Sequence, residues 1–220
     1  MRPVVTIIDY GRGNLLSVRR ALEFCGAEAV FAAGPDSIRK AAALVLPGVG
    51  SFADGMARLR ADGLEGPIRE KAAAGVPLLG ICLGMQMLFD TGCEDGVTPG
   101  LGLIPGTVEP LPRQDAEGNP LRVPHVGWSG LIPAVPSGFA GSLLADIRPG
   151  EEVYFVHSFA AVPACETDRL ADTLYGGRRV CAAVRRGNVT GVQFHPEKSA
   201  ETGLSILRAF VSLAGTPALE

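Results

Sequence analysis

The sequence carries little net charge: 20 Lys and Arg stand against 23 Asp and Glu, leaving −3 at pH 7. Neither Lys nor Arg gathers into a run able to line a phosphate-binding face, so no electrostatic feature points to nucleic acid. Pro and Gly interrupt every apolar stretch before it could span a bilayer, and no signal-peptide core precedes the strand-like run after Arg2-Pro3. Five cysteines, an odd number at irregular spacing, form neither a paired disulfide framework nor a CxxC metal pattern. A reducing compartment suits them, and a soluble cytoplasmic protein without metal or cofactor is expected. Internal repeats, coiled-coil heptads and low-complexity tracts are missing too.

What is present is enough apolar material, 47% of 220 residues, to bury one full core, so a single domain over 1–220 is expected. Val4 to Ile8 is β-branched and apolar on both parities, as in a strand covered on two faces. The spacing Leu15, Val18, Leu22, Cys25 then turns helical. Ala27 to Phe31 reads as a strand, Pro35 to Ala42 as a short helix and Ala43 to Leu46 as a third strand. This rhythm predicts an α/β fold: a mostly parallel, twisted central sheet with helices on both faces. A dinucleotide fingerprint after the first strand fails, because Leu16 stands where its third glycine belongs. Ser51 offers a cap for a helix through Phe52, Met56 and Leu59, and Leu64 to Ala74 makes another. Between Asp95 and Gly130 Gly and Pro multiply, with brief strands at Thr107 to Leu111 and Leu121 to Pro124, predicting an antiparallel excursion. Glu152 to Phe159, Arg179 to Val184 and Val189 to Phe194 follow as strands, Arg185 to Asn188 as a hairpin turn, and Ser199 as the cap of a closing helix.

The chain is organised around Val76 to Gln86. An apolar run of strand length stops at Cys82 between Gly80 and Gly84, and a helix-like segment with Met85, Leu88 and Phe89 runs on to Gly92. That is the grammar of a nucleophile elbow, in which glycines two residues either side let backbone pass without a clash. A buried structural cysteine in a βα turn fits the same pattern. An unperturbed thiol, with a pKa of about 8.5, is roughly 3% thiolate at pH 7, so a nucleophile needs a helix N-terminus and an imidazole beside it. Of His125, His157 and His195, the last has the best surroundings. In Val192-Gln193-Phe194-His195-Pro196-Glu197 a strand period of two sends His195 and Glu197 to one side. The pattern makes Cys82 the nucleophile, His195 the general base and acid, and Glu197 its orienter. Backbone N–H groups of Leu83 and of Val49, in the loop Pro47-Gly48-Val49-Gly50, are the oxyanion-hole candidates.

These residues resemble a known group. The Pro47 to Gly50 loop, the Gly-Ile-Cys-Leu-Gly-Met-Gln elbow and Phe-His-Pro-Glu-Lys-Ser from Phe194 together resemble the class I, triad-type glutamine amidotransferases. More closely, the chain resembles glutaminase subunits of imidazole glycerol phosphate synthases, through Asp9 to Asn14, Gly55-Met56 with Leu59, Pro124 to Trp128 and Tyr154 to Ser158. The resemblance implies hydrolysis of glutamine to glutamate and ammonia through a γ-glutamyl thioester on Cys82. It implies a glutamine pocket at Gly48, Gly50, Gln86, Ser158 and Phe159, and a (βα)8-barrel cyclase partner that receives the ammonia in histidine biosynthesis. Asn14, Trp128 and Lys198 match positions near that subunit interface, and reorientation of the Pro47 to Gly50 loop belongs to the family's control. Two positions depart from the pattern: Ser129 stands where Asn is usual, and Phe159 where Tyr is. A different class I glutaminase, a stand-alone γ-glutamyl hydrolase and a non-catalytic interaction subunit are the competing readings.

Overall fold

The computed structural model describes residues 2–32, 34–136 and 138–215. Short, largely apolar runs form β1 (Val4–Ile8), β2 (Glu28–Ala32), β3 (Leu44–Gly48) and β4 (Leu78–Cys82), separated by α1 (Leu15–Phe24), α2 (Pro35–Arg39), α3 (Phe52–Ala61) and α4 (Glu65–Ala73). One helical turn, α5 (Leu83–Gln86), leaves β4. Then come β5 (Phe89–Gly92), β6 (Thr98–Pro99), β7 (Ile104–Pro110), β8 (His125–Gly130), β9 (Ile132–Pro133), β10 (Glu152–His157) and β11 (Phe159–Pro163). The chain closes with β12 (Arg169–Tyr175), β13 (Arg178–Arg186), β14 (Val189–Val192) and α6 (Ala200–Ala214).

The main sheet runs β2-β1-β3-β4-β14-β13-β12-β9. Its first five strands are parallel and the last three antiparallel. Alternate residues of the parallel strands go to opposite faces, which is why these runs are apolar on both parities. Val5, Ile7, Val45, Leu79 and Ile81 pack with α1 and α6. Ile8, Leu44, Leu46 and Leu78 join α3 and α4 on the other side. Every one of these strand residues is at most 1% exposed, and full burial of such side chains stabilises by about 1.5–3 kcal/mol each. Ser51 caps α3 as expected, its hydroxyl accepting the Asp54 N–H at 3.4 Å. No helix among the described residues is long and apolar enough to cross a membrane.

The excursion comes in two pieces, a two-stranded ribbon β10-β8 and a four-stranded sheet β11-β7-β5-β6. Five expectations change here. The helix after the elbow stops at Gln86, and Phe89–Gly92 pairs with β6 and β7 instead, since short apolar spacing does not separate a buried helical turn from a buried strand. Leu121 to Pro124 is a loop, and pairing starts one residue later at His125. The run from Glu152 breaks at Ser158, so that β10 pairs with β8 and β11 with β7. Strand β12 leaves no strand pattern in the sequence, because its buried Asp172, held by Arg169 and Arg179, interrupts the apolar run. Ser199 precedes α6 without capping it. Its hydroxyl donates to the His195 carbonyl at 2.7 Å and accepts the Tyr154 N–H at 2.9 Å.

Candidate active site

Strand β4 ends at Cys82 with φ 55° and ψ −113°. Such a conformation costs a non-glycine residue of order 1–3 kcal/mol and is the sharp strand-to-helix bend that exposes a nucleophile. Gly80 and Gly84 make it sterically possible. A Cβ on Gly80 would lie 2.8 Å from Gly84 and Met85 backbone atoms, and one on Gly84 would strike the Leu46 carbonyl oxygen. Gly48 sits opposite Cys82 in the β3–β4 register. A side chain there would strike the Tyr10 hydroxyl, which donates to the Pro47 carbonyl at 2.9 Å. Burial first, and then the nearby Cys82, push the Tyr10 hydroxyl well above its ordinary pKa, so it stays a donor. The loop is thus pinned at Pro47 and open at Val49 and Gly50, both exposed. As the first residue of α5, Leu83 has an amide with no intrahelical acceptor. A single turn carries little macrodipole, so α5 supplies less of the activation than a full helix would.

His195 lies beyond the end of β14, and Pro196–Lys198 forms a turn of 3-10 helix. That turn, not strand alternation, brings Glu197 back onto the imidazole, with Nδ1 and Oε1 2.8 Å apart and side chains 4% and 1% exposed. Because the carboxylate only accepts, Nδ1 carries the proton and Nε2 is the nitrogen available for chemistry. Nε2 is buried and makes no hydrogen bond, and neither does Glu197 Oε2. Burial disfavours the imidazolium, but attraction to Cys82 and to Glu197 outweighs it and raises the His195 pKa to about 9. The sulfur therefore acts on this ring, and contacts of this kind commonly tighten when a substrate binds.

A cavity of about 340 Å³ brings the expected residues together: Cys82, Leu83 and His195 line it, as do Val49, Gly50 and Gln86, and so do Ser158 and Phe159. Gly48 lies beneath, paired with Cys82, and Glu197 stands behind His195. Asn14, Trp128 and Lys198 do not line it; all three are exposed. Glu94 and His157 also line the cavity; Glu94 carries no signal in the sequence, and His157 stands there only as an alternative imidazole for Cys82 and as part of the Tyr154 to Ser158 motif. Glu94 Oε2 accepts the Phe52 N–H at the start of α3 at 2.7 Å, which fixes a negative charge at the wall. Gln193, one residue past β14, donates from its carboxamide to Cys82 Sγ at 3.8 Å. Among the described residues no cluster of His, Cys, Asp and Glu is arranged to hold a metal ion.

Behind the cavity His125 Nδ1 and His157 Nε2 are 3.1 Å apart, His157 Nδ1 reaches the Phe159 carbonyl at 2.8 Å, and His125 Nε2 meets the Ser129 hydroxyl at 3.0 Å. Since the carbonyl only accepts, every proton in this chain is assigned: Ser129 donates to His125, His125 to His157, and His157 to Phe159. Burial holds both rings down to a pKa of about 4, so both are neutral at pH 7.

Residues 6–213 match the family model described as glutamine amidotransferase class-I. Imidazole glycerol phosphate synthase subunit HisH 1 of Legionella pneumophila (strain Lens) is 45% identical over 210 residues, spanning 95% of this chain and 99% of its own. The subunit HisH of Geobacillus sp. (strain WCH70) is 47% identical over 210 residues, spanning 96% and 97%. Among solved structures, one titled as a glutamine amidotransferase has a TM-score of 0.71 at 23% identity, covering 96% of this chain and 99% of that one. PurLQS from Thermotoga maritima has the same TM-score, 0.71, at 22% identity and with the same coverage, 96% and 99%. At these identities the structural likeness concerns the fold.

Proposed function

This chain belongs to the class-I glutamine amidotransferase family, and on that premise we propose that it is the glutaminase subunit of an imidazole glycerol phosphate synthase in histidine biosynthesis. The Cys82 thiolate attacks the side-chain carbonyl carbon of glutamine, and the electron pair moves to the oxygen, where N–H groups of Leu83 and Val49 receive it. His195 passes a proton to the nitrogen as the C–N bond breaks, ammonia departs and a γ-glutamyl thioester remains. His195 then takes a proton from water, which attacks the thioester, releases glutamate and restores the sulfur. Glu197 keeps the imidazole in the right tautomer throughout. Gln86, Ser158 and Phe159 hold the substrate with Gly48 and Gly50, and the Glu94 carboxylate suits its α-ammonium. The observation that carries this reading is one cavity shared by a cysteine at a strained elbow and a buried His–Glu pair.

A (βα)8-barrel cyclase is the partner that takes the ammonia. Relatives named as subunits support this, and so does an apolar patch on the ribbon, where Val126, Trp128 and Val156 are 55%, 49% and 38% exposed. Asn14, Trp128 and Lys198 contribute to that interface. Five cysteines without a disulfide accord with a cytoplasmic location. The test measures ammonia release from glutamine by the chain alone, with the cyclase, and with cyclase plus its ribotide ligand. Strong stimulation in the last mixture is expected, whereas full turnover by the chain alone would favour a stand-alone hydrolase. Cys82→Ala should abolish release in all three while the complex still assembles; activity persisting in that variant would end the thioester route.

A further inference from the structure

Gln193 has no part in the steps above, yet it is fully buried at 0% exposure, and its carboxamide nitrogen lies 3.8 Å from Cys82 Sγ. Which end of the amide faces the sulfur follows from a group without ambiguity. The Phe159 carbonyl only accepts, so the Gln86 atom 3.0 Å from it is the amide nitrogen. The second N–H of that nitrogen goes to Gln193, 2.9 Å away, which must therefore present its oxygen there. The Gln193 nitrogen is left on the side of the sulfur. Turning over either amide would set like against like, oxygen on oxygen or nitrogen on nitrogen. The backbone holds the group in place: Gln193 N–H donates to the Ala182 carbonyl at 2.9 Å, and Val192 is paired with Ile81 next to Cys82.

We propose that Gln193 is a further residue of the glutaminase reaction: its carboxamide, oriented by Gln86, donates an N–H to the Cys82 sulfur and stabilises the thiolate at the elbow. The inference rests on Cys82 being the nucleophile. An N–H donor gains when its acceptor becomes an anion, because charge-assisted hydrogen bonds are roughly twice as strong as neutral ones. With α5 only one turn long, the sulfur has little helix dipole to rely on, and a side-chain donor fills that place. Both N–H groups of Gln86 are occupied within the protein, so its oxygen is what remains for an N–H of bound glutamine. Gln86 then couples substrate recognition to the donor that steadies the sulfur.

The test follows alkylation of Cys82 by iodoacetamide against pH in the full chain, read by mass spectrometry of the Cys82 peptide. Gln193→Met removes the donor at similar volume. Gln193→Glu keeps an oxygen for Gln86 and, ionised, presents no N–H to the sulfur. Both variants should react about tenfold or more slowly at pH 7, with profiles displaced to higher pH, and kcat should fall by a similar factor while KM for glutamine stays within about threefold. Wild-type profiles in both variants overturn the proposal. So does recovery in Gln193→Glu alone, which would make Gln193 a prop for Gln86. A second reading needs no Gln193 variant: the side-chain amide resonances of Gln193 in the wild-type chain should titrate with the alkylation midpoint, and that titration should vanish in Cys82→Ala. Amide resonances that do not move overturn the proposal as well. Ammonia release persisting in Cys82→Ala would instead overturn the thioester reading, whatever the Gln193 variants do.

Discussion

At Glu197 one carboxylate oxygen holds the His195 Nδ1–H at 2.8 Å, and the other is buried without a partner. The pair therefore gives up some stability for a fixed tautomer. Glu197→Gln should lower kcat by roughly 10²–10⁴-fold with KM little changed, which steady-state kinetics will show. The same pair links stability to pH. His195 is raised from its ordinary 6.5 to about 9 in the folded chain, so its contribution is complete below pH 6.5 and is lost as the pH rises through 9. Urea unfolding between pH 6 and 10 should show stability declining across that window in the wild type and declining less in Glu197→Gln. Gly84 tests the elbow by sterics alone. A Cβ there meets the Leu46 carbonyl oxygen, which is backbone and has no room to yield. Gly84→Ala should cost about 3 kcal/mol or more by chemical denaturation.

In the β8–β10 ribbon one side is dry and carries His125, Phe155 and His157, while Val126 and Val156 face outward. His125 stacks between Phe155 and Tyr175, with ring centroids 4.8 and 4.0 Å away. The departure at Ser129 is intelligible at this scale, because its hydroxyl supplies the hydrogen bond that His125 Nε2 accepts. Ser129→Ala should cost about 1–2 kcal/mol by leaving that nitrogen unpaired, and Ser129→Asn should restore a donor. The departure at Phe159 matters less to the site, since its carbonyl, not its ring, receives His157 and Gln86. Burial depresses both rings from 6.5 to about 4. An unfolded chain would take up protons below pH 6.5 that the folded chain refuses, so this contribution is complete above pH 6.5 and lost as the pH falls through 4. Unfolding free energy should fall on acidification by up to about 1.4 kcal/mol per pH unit for each ring, and replacing His125 should flatten that slope.

Across the whole molecule the exposed ribbon is tied to the segment from His195 to Ser199. Trp128 packs edge-on against Tyr154 at 6.0 Å. The Tyr154 carbonyl accepts the His195 N–H at 3.0 Å, and the Tyr154 N–H donates to Ser199 at 2.9 Å. A subunit docking on this face would thus press on the backbone that positions the imidazole. If the proposed cyclase docks here, Trp128→Ala should weaken its binding about ten- to hundredfold by calorimetry and leave alkylation of Cys82 in the free chain unchanged. Much of this architecture is legible along the chain. The doubly apolar strands, the elbow glycines and the chemical types of Cys82, His195 and Glu197 were determined by the sequence itself, because sterics and periodicity act within a few residues. The rest waited on contacts between distant segments. Gln86 reaches Phe159 across 73 residues and Gln193 reaches Cys82 across 111. Glu94 and His157 enter the cavity only because the excursion folds back over the carboxyl ends of β3 and β4. Only the tertiary structure decided these, since which end of a buried amide faces a sulfur is set by every hydrogen bond around it and by nothing in its own neighbourhood of sequence.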